Sequence, residues 1–268
     1  MKNNDLKRYD FIEGTAFEGL MPKVAEKQGL IGGSSVSVHL HGKDARGVDA
    51  LEVVDIAAIW DNSESNEPDF SQSNVVLKAN YSPKTPIIID GANTVLKLNG
   101  KKVTAPVYTE SNGEIIEGNT DSCGFWVKKG SLTIEGNGEV VSQDATYSMA
   151  VWANGGNVVI KGGIFRNGGD NCDLIYASAG GNVTIEGGEF FPIGPASGKE
   201  EGTKNPYTAL NVKDADYKSG KSNIIVKGGK FHNFNPADNV SEGENTNFVA
   251  EGFKSVEIEP NVWEVIPE

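Results

Sequence analysis

Cysteine occurs only twice, at Cys123 and Cys172, which excludes a disulfide scaffold and any four-cysteine zinc module. Histidine is nearly as scarce, with only His39, His41 and His232. No run of 18 apolar residues exists, so no helical membrane span is expected. The opening Met-Lys-Asn-Asn-Asp-Leu-Lys-Arg-Tyr-Asp has no apolar stretch behind it to act as a signal core, and synthesis in a cytosol is expected. Positive charge is short: 24 Lys and Arg stand against 37 Asp and Glu, a formal net charge of -13. Phosphate contact needs a basic surface, so nucleic acid is not an expected partner. Hydrophobic residues make up 38% of the chain and charged residues 23%, the balance of a folded protein and not of a disordered one.

What is abundant is glycine. The 268 residues contain 33, about 12% against an average near 7%. No Gly-X-Y period accompanies them, which excludes collagen. They concentrate between 123 and 190, where 14 of the 33 fall. There one phrase recurs: an apolar-polar-apolar triplet, a charge, glycine, then often Gly-x-Phe. It reads Leu132-Thr133-Ile134-Glu135-Gly136, then Val158-Val159-Ile160-Lys161-Gly162-Gly163-Ile164-Phe165. It returns as Val183-Thr184-Ile185-Glu186-Gly187-Gly188-Glu189-Phe190 and as Ile224-Ile225-Val226-Lys227-Gly228-Gly229-Lys230-Phe231. Weaker copies are Leu96-Lys97-Leu98-Asn99-Gly100 and Val256-Glu257-Ile258.

Ile134 to Ile160 is 26 residues, Ile160 to Ile185 is 25, and Ile185 to Val226 is 41. The long interval reads as the same coil carrying an insertion at the Gly-, Pro-, Lys- and Glu-rich 192–206. A second short strand precedes each triplet, at 124–127, 150–153, 174–177 and 209–212. Short strands at a fixed period, joined by glycine corners, predict an all-β chain wound as a parallel β-solenoid, a right-handed parallel β-helix. A coil cannot bury its inward face alone, so each stacks on its neighbours. Strand alternation points Leu132 and Ile134 inward and Thr133 outward.

Residues 1–85 read differently, and the repeat region is expected to run from 86 to 268, starting near Pro86-Ile87-Ile88-Ile89. Phe17, Leu20, Met21, Val24 and Ala25 fall at roughly helical spacing between Thr15 and Gly29, although Pro22 opposes one continuous helix. Leu51 to Trp60 is an apolar run whose type, helix or strand, the pattern leaves open. The polar stretch 61–73 reads as a loop or linker. A region this small buries a limited share of its surface and often needs a partner. Phe17, Leu20, Met21, Ile56, Ile59 and Trp60 are therefore the candidate attachment and oligomerisation residues.

Carboxylates on a parallel coil raise polysaccharide cleavage. Asn119-Thr120-Asp121 resembles the first motif of polygalacturonase-type glycoside hydrolases, which need two carboxylates across the scissile bond. The accompanying Asp-Asp and Gly-His-Gly motifs are missing. A lyase needs clustered acids for calcium and a basic residue; Asp144, Asp170 and Asp173 supply acids, but Arg166 is the only arginine of the repeats. The glycine pairs lack the Lys-Ser/Thr of a phosphate loop and read as corners. His39-Leu40-His41 places two imidazoles on one strand face, a metal pair only if three copies meet on an axis. Cys123 and Cys172 are expected reduced and packed. Trp126, Trp152 and Tyr176 recur once per coil, an aromatic ladder that either packs the solenoid or, if exposed, contacts glycan or another subunit. Phe165, Phe190 and Phe231 form a second series. No catalytic residue, metal or cofactor is expected.

The Gly-Gly-x-Phe coils and the closing segments Phe231-His232-Asn233-Phe234-Asn235-Pro236-Ala237-Asp238-Asn239 and 245–254 together resemble the β-helical parts of bacteriophage virion fibre and spike proteins. The resemblance covers roughly 123–268. It implies a non-enzymatic structural protein located in the virion, a head or tail fibre. It also implies a homo-oligomer, a trimer by preference, held by an N-terminal region to capsid or tail proteins and reaching host surface polysaccharide. A carbohydrate-active β-helix enzyme is the alternative, and a bacterial adhesin-like solenoid a third.

Overall fold

The computed structural model describes the backbone of 37–43 and 49–55, and residues 67–112, 114–169, 173–194 and 206–268 in full. The chain divides into two compact units, Met1–Asn66 and Glu67–Glu268. In the first, Ser37–Lys43 pairs antiparallel with Asp49–Asp55, from Ser37 opposite Asp55 to Lys43 opposite Asp49. The apolar run left open between helix and strand is therefore strand over 51–55. Phe17, Leu20, Met21, Ile56, Ile59 and Trp60 lie outside the described residues.

The second unit is built of parallel strands that meet coil on coil along three faces. On the first face Ile87, Phe125, Val151, Ile175 and Leu210 succeed one another in register. On the second the sequence is Leu96, Ile134, Ile160, Ile185, Val226, with Val75 below Leu96. On the third it is Val103, Val140, Phe165, Phe190, Phe231. The chain visits the three faces in turn and then repeats, about 4.8 Å further along the stack. The isoleucine column expected from the repeated phrase is present, and Ile134, Ile160, Ile185 and Val226 are fully buried. Leu132 and Ile134 point in, while Thr133 is half-exposed on the outside. Asn74–Val76 also belongs to the second face, so the stack already includes residues ahead of 86.

The core is the space enclosed by the faces. Phe165, Phe190 and Phe231 stack inside it with centroids 5.1 and 4.7 Å apart and planes within 10°. The glycine pair between second and third faces answers two separate needs. A Cβ on Gly187 would stand 2.6 Å from the Lys161 carbonyl oxygen of the preceding coil, and Gly188 has φ +103°, a region that L side chains avoid. The 41-residue interval holds more than the insertion at 192–206. A short helix, Asp214–Lys218, occupies the corner that other coils turn with three residues. It holds the coil beneath: Asp216 Oδ2 accepts from the Ala179 N–H at 2.5 Å, and Ser222 Oγ from the Gly180 N–H at 2.9 Å.

A stack of parallel strands ends in an open edge, which invites aggregation. Here the C-terminal edge is covered on every face. Val262–Pro267 pairs antiparallel with Lys230–His232 and, on its other side, with Phe253–Glu259. The Val226 N–H donates to Phe248 O, and the Val212 N–H to Glu242 Oε1. The Phe-Asn-Pro-Ala-Asp-Asn segment forms the covering loop. Phe234 and Phe248 are buried in it. Asn239 Nδ2 donates to the carbonyls of Asn235 and Thr246, each at 3.1 Å, while its Oδ1 accepts from the Ser241 N–H at 3.0 Å. What is idiosyncratic in sequence is here a cap.

Candidate functional site

The outward positions of the first face carry the aromatic ladder. Trp126, Trp152 and Tyr176 stand in register, with Ile88 on one side and Asn211 on the other. Trp126 and Trp152 stack at 4.6 Å and 13°, and Tyr176 follows at 6.2 Å and 44°. Trp126 is only 5% exposed; Trp152 and Tyr176 are half-buried. The Lys128 ammonium sits 4.0 Å from the Trp126 ring centroid. Trp126 is thus covered by Trp152 and by a cation, and Trp152 stands between Trp126 and Tyr176. Sugar recognition by ring stacking uses faces, and the Tyr176 end of the ladder is followed by Asn211 and not by a further aromatic.

Trp126 is covered because the chain leaves the coil before reaching it. Val107–Ser111 runs antiparallel to 114–122, a hairpin inserted between third and first faces. The chain turns at Asn112, and in the sequence Asn112-Gly113 is the dipeptide that could have announced it. Tyr108 and Cys123 pack with Trp126 beneath it, and Ile115 lies against them. The Asn119-Thr120-Asp121 tripeptide belongs to this hairpin. Asp121 Oδ2 accepts from Thr120 Oγ1 at 2.6 Å and from the Glu110 N–H at 3.1 Å, and Thr120 Oγ1 contacts Thr109 Oγ1 at 3.0 Å. The aspartate brackets a wide bulge between the two strands. Burial, reinforced by the Asp121 charge, pushes the Cys123 thiol well above the usual cysteine range, so it is an inert, neutral packing group. Cys172 lies outside the described residues.

At the other end of the ladder, carboxylates from three distant segments surround Tyr176. Asp173 Oδ2 accepts from Asn211 Nδ2 at 2.9 Å, and Glu242 holds the edge of 210–212. Trp152 Nε1 donates to Ser178 Oγ at 2.8 Å. Burial first, then Asp173, Glu242, Asp214 and Asp216, push the Tyr176 phenol up to about 12 from 10.0. The native state therefore holds this proton more tightly than the unfolded one, and the associated stability is complete below pH 10 and lost as pH rises from 10 toward 12. The ultraviolet titration difference between the native protein and Tyr176→Phe is expected near pH 12; a difference near pH 10 would contradict this environment.

Outside the third face, Arg166 Nε meets Glu139 Oε1 at 2.7 Å and its guanidinium lies 3.8 Å from the Phe191 centroid. His232, one coil on from Phe191, stacks on the Phe191 ring at 3.9 Å, with Nε2 2.8 Å from Glu189 Oε1. Among the described residues no group of three His, Cys, Asp or Glu is placed to hold a metal ion, and no helix is long and apolar enough to cross a membrane. The side chains of His39 and His41 lie outside the description. Sequence reasoning found the ladder but not the hairpin over it, nor the carboxylates around its end, of which Asp214, Asp216 and Glu242 come from chain positions tens of residues away. Comparison with family models, curated proteins and solved structures finds no match.

Proposed function

We propose that this chain is a non-enzymatic structural protein of a phage virion, a head or tail fibre or spike. In this reading 67–268 is a right-handed parallel β-helix forming a rigid shaft, residues 1–66 attach it to capsid or tail proteins, and three chains assemble. The observation that carries the reading is the cap: the stack is finished at its C-terminal end by a dedicated antiparallel element, as a shaft with one free end requires. The ladder supports a lateral subunit contact better than a sugar platform, because its tryptophan faces are covered. Host polysaccharide would engage the Tyr176 end. Light scattering of the full-length protein at micromolar concentration is expected to give a trimer mass. A monomer mass would overturn the multimeric part of the proposal.

One observation favours the alternative of a carbohydrate-active enzyme: Asp173, Asp214, Asp216 and Glu242 all lie near enough to Tyr176 to act on its phenol. Paired carboxylates beside an aromatic are what glycoside cleavage needs. Incubation with capsular and plant polysaccharides discriminates. The structural reading expects no new reducing ends; cleavage that disappears in Asp173→Asn would establish the enzyme instead.

A further inference from the structure

From Lys97 onward, the charge that ends each strand of the second face changes sign from coil to coil. Lys97 is opposite Glu135 in the parallel register. Lys161 comes next: its N–H donates to Ile134 O at 2.9 Å and its Nζ is 3.1 Å from Glu135 Oε1. The Glu186 N–H donates to Ile160 O and the Lys227 N–H to Ile185 O, both at 2.7 Å, which stacks Glu186 on Lys161 and Lys227 on Glu186. The column reads Lys, Glu, Lys, Glu, Lys.

The columns beside it carry no such order. Inward stand Leu96, Ile134, Ile160, Ile185 and Val226; outward stand Val95, Thr133, Val159, Thr184 and Ile225. These are aliphatic or β-branched throughout, so on this face shape and apolar burial scarcely distinguish one coil from another. Coils this similar can stack out of order, by skipping a neighbour or by exchange between two chains, and repeat proteins characteristically misfold in that way. Skipping one coil keeps the aliphatic column intact but sets Glu135 on Glu186, or Lys161 on Lys227. Like charges directly opposite across paired strands are destabilising. On the third face Lys102, Glu139, Ile164, Glu189, Lys230 and Glu264 succeed one another. No two neighbours there share a sign, while a skipped coil sets Glu139 on Glu189.

We propose that this alternation is an ordering device: it selects the nearest-neighbour stacking of strands that the second-face core does not distinguish, within one chain and against exchange with a second copy. Its action is on the choice among stacked states. Exposed ion pairs add little to the stability of the state finally reached.

Two variants of the full chain separate pattern from composition. The first inverts all five positions, with Lys97→Glu, Glu135→Lys, Lys161→Glu, Glu186→Lys and Lys227→Glu, and keeps the alternation. The second carries only Glu135→Lys with Lys161→Glu, which keeps composition and the opposite pair at 135 and 161 but creates like-charged steps between 97 and 135 and between 161 and 186. Each is refolded from urea, and the fraction recovered at native mass is read by size-exclusion chromatography. The inverted chain is expected to recover as the original does. The two-position variant is expected to recover roughly threefold less at low salt, the loss appearing as higher-mass species, and to regain most of it in about 1 M NaCl, where screening shortens to ~3 Å. Equal recovery of the two-position variant, failure of the inverted chain to the same degree, or a defect that salt leaves unchanged would each overturn the proposal.

Discussion

Replacing Phe190 by alanine is expected to lower unfolding free energy by about 3–5 kcal/mol. Phe190 is fully buried between Phe165 and Phe231, with centroids 5.1 and 4.7 Å away. The hole left by its ring cannot close, because the coils above and below are held apart by ladder hydrogen bonds at a fixed spacing. The corner lies close by: a Cβ built at Gly229 would stand 3.3 Å from the Phe190 ring. Urea unfolding of the full-length variant measures the effect. Phe190→Leu, which keeps most of the apolar volume, is expected to fall between it and the original chain. A loss below about 1 kcal/mol for the alanine variant would mean that the stack collapses on itself, and that the ladder does not enforce the spacing.

Ending the chain at Gly252 is expected to make the chain aggregate. The deletion removes both cap strands, Phe253–Glu259 and Val262–Pro267. It also removes the buried Val262 and Val265 and leaves Lys230–His232 without its antiparallel partner. That edge is short but continuous with a stacked, fully apolar phenylalanine column, the combination that natural sheets avoid exposing. Size-exclusion chromatography is expected to show high-mass species in place of the native peak. A truncated chain that elutes and unfolds like the original would show that the loop around Asn239 closes the stack unaided.

The coil period and the inward column were legible in the sequence because both rest on local rules. Strand alternation selects Leu132 and Ile134 over Thr133, and the repeat of one phrase at 25 or 26 residues fixes which positions stack. Glycine at the corners was legible for the same reason, since a turn must be chemically possible wherever it occurs. Reading the ladder from its spacing was equally direct: residues one coil apart on the same strand of the phrase must be neighbours.

Other readings depended on contacts that no local rule supplies. Whether the ladder offers ring faces or edges was decided by the 4.6 Å stacking of Trp126 on Trp152, by Lys128, and by a hairpin that leaves the coil at 107. Asn119-Thr120-Asp121 has the composition of a catalytic motif, yet the Asp121 carboxylate brackets the hairpin by accepting from Glu110 and Thr120. The Asn-Pro stretch that carried the family resemblance covers the last coil. The carboxylates that raise the Tyr176 phenol lie as far off as Glu242. By itself the sequence determined the repeat, its inward residues and its alternating charges, because each is set by positions within one coil or one period of it. Tertiary structure alone decided what the surface offers, because exposure and partnership at any outward residue depend on which distant insertion, hairpin or cap is folded over it.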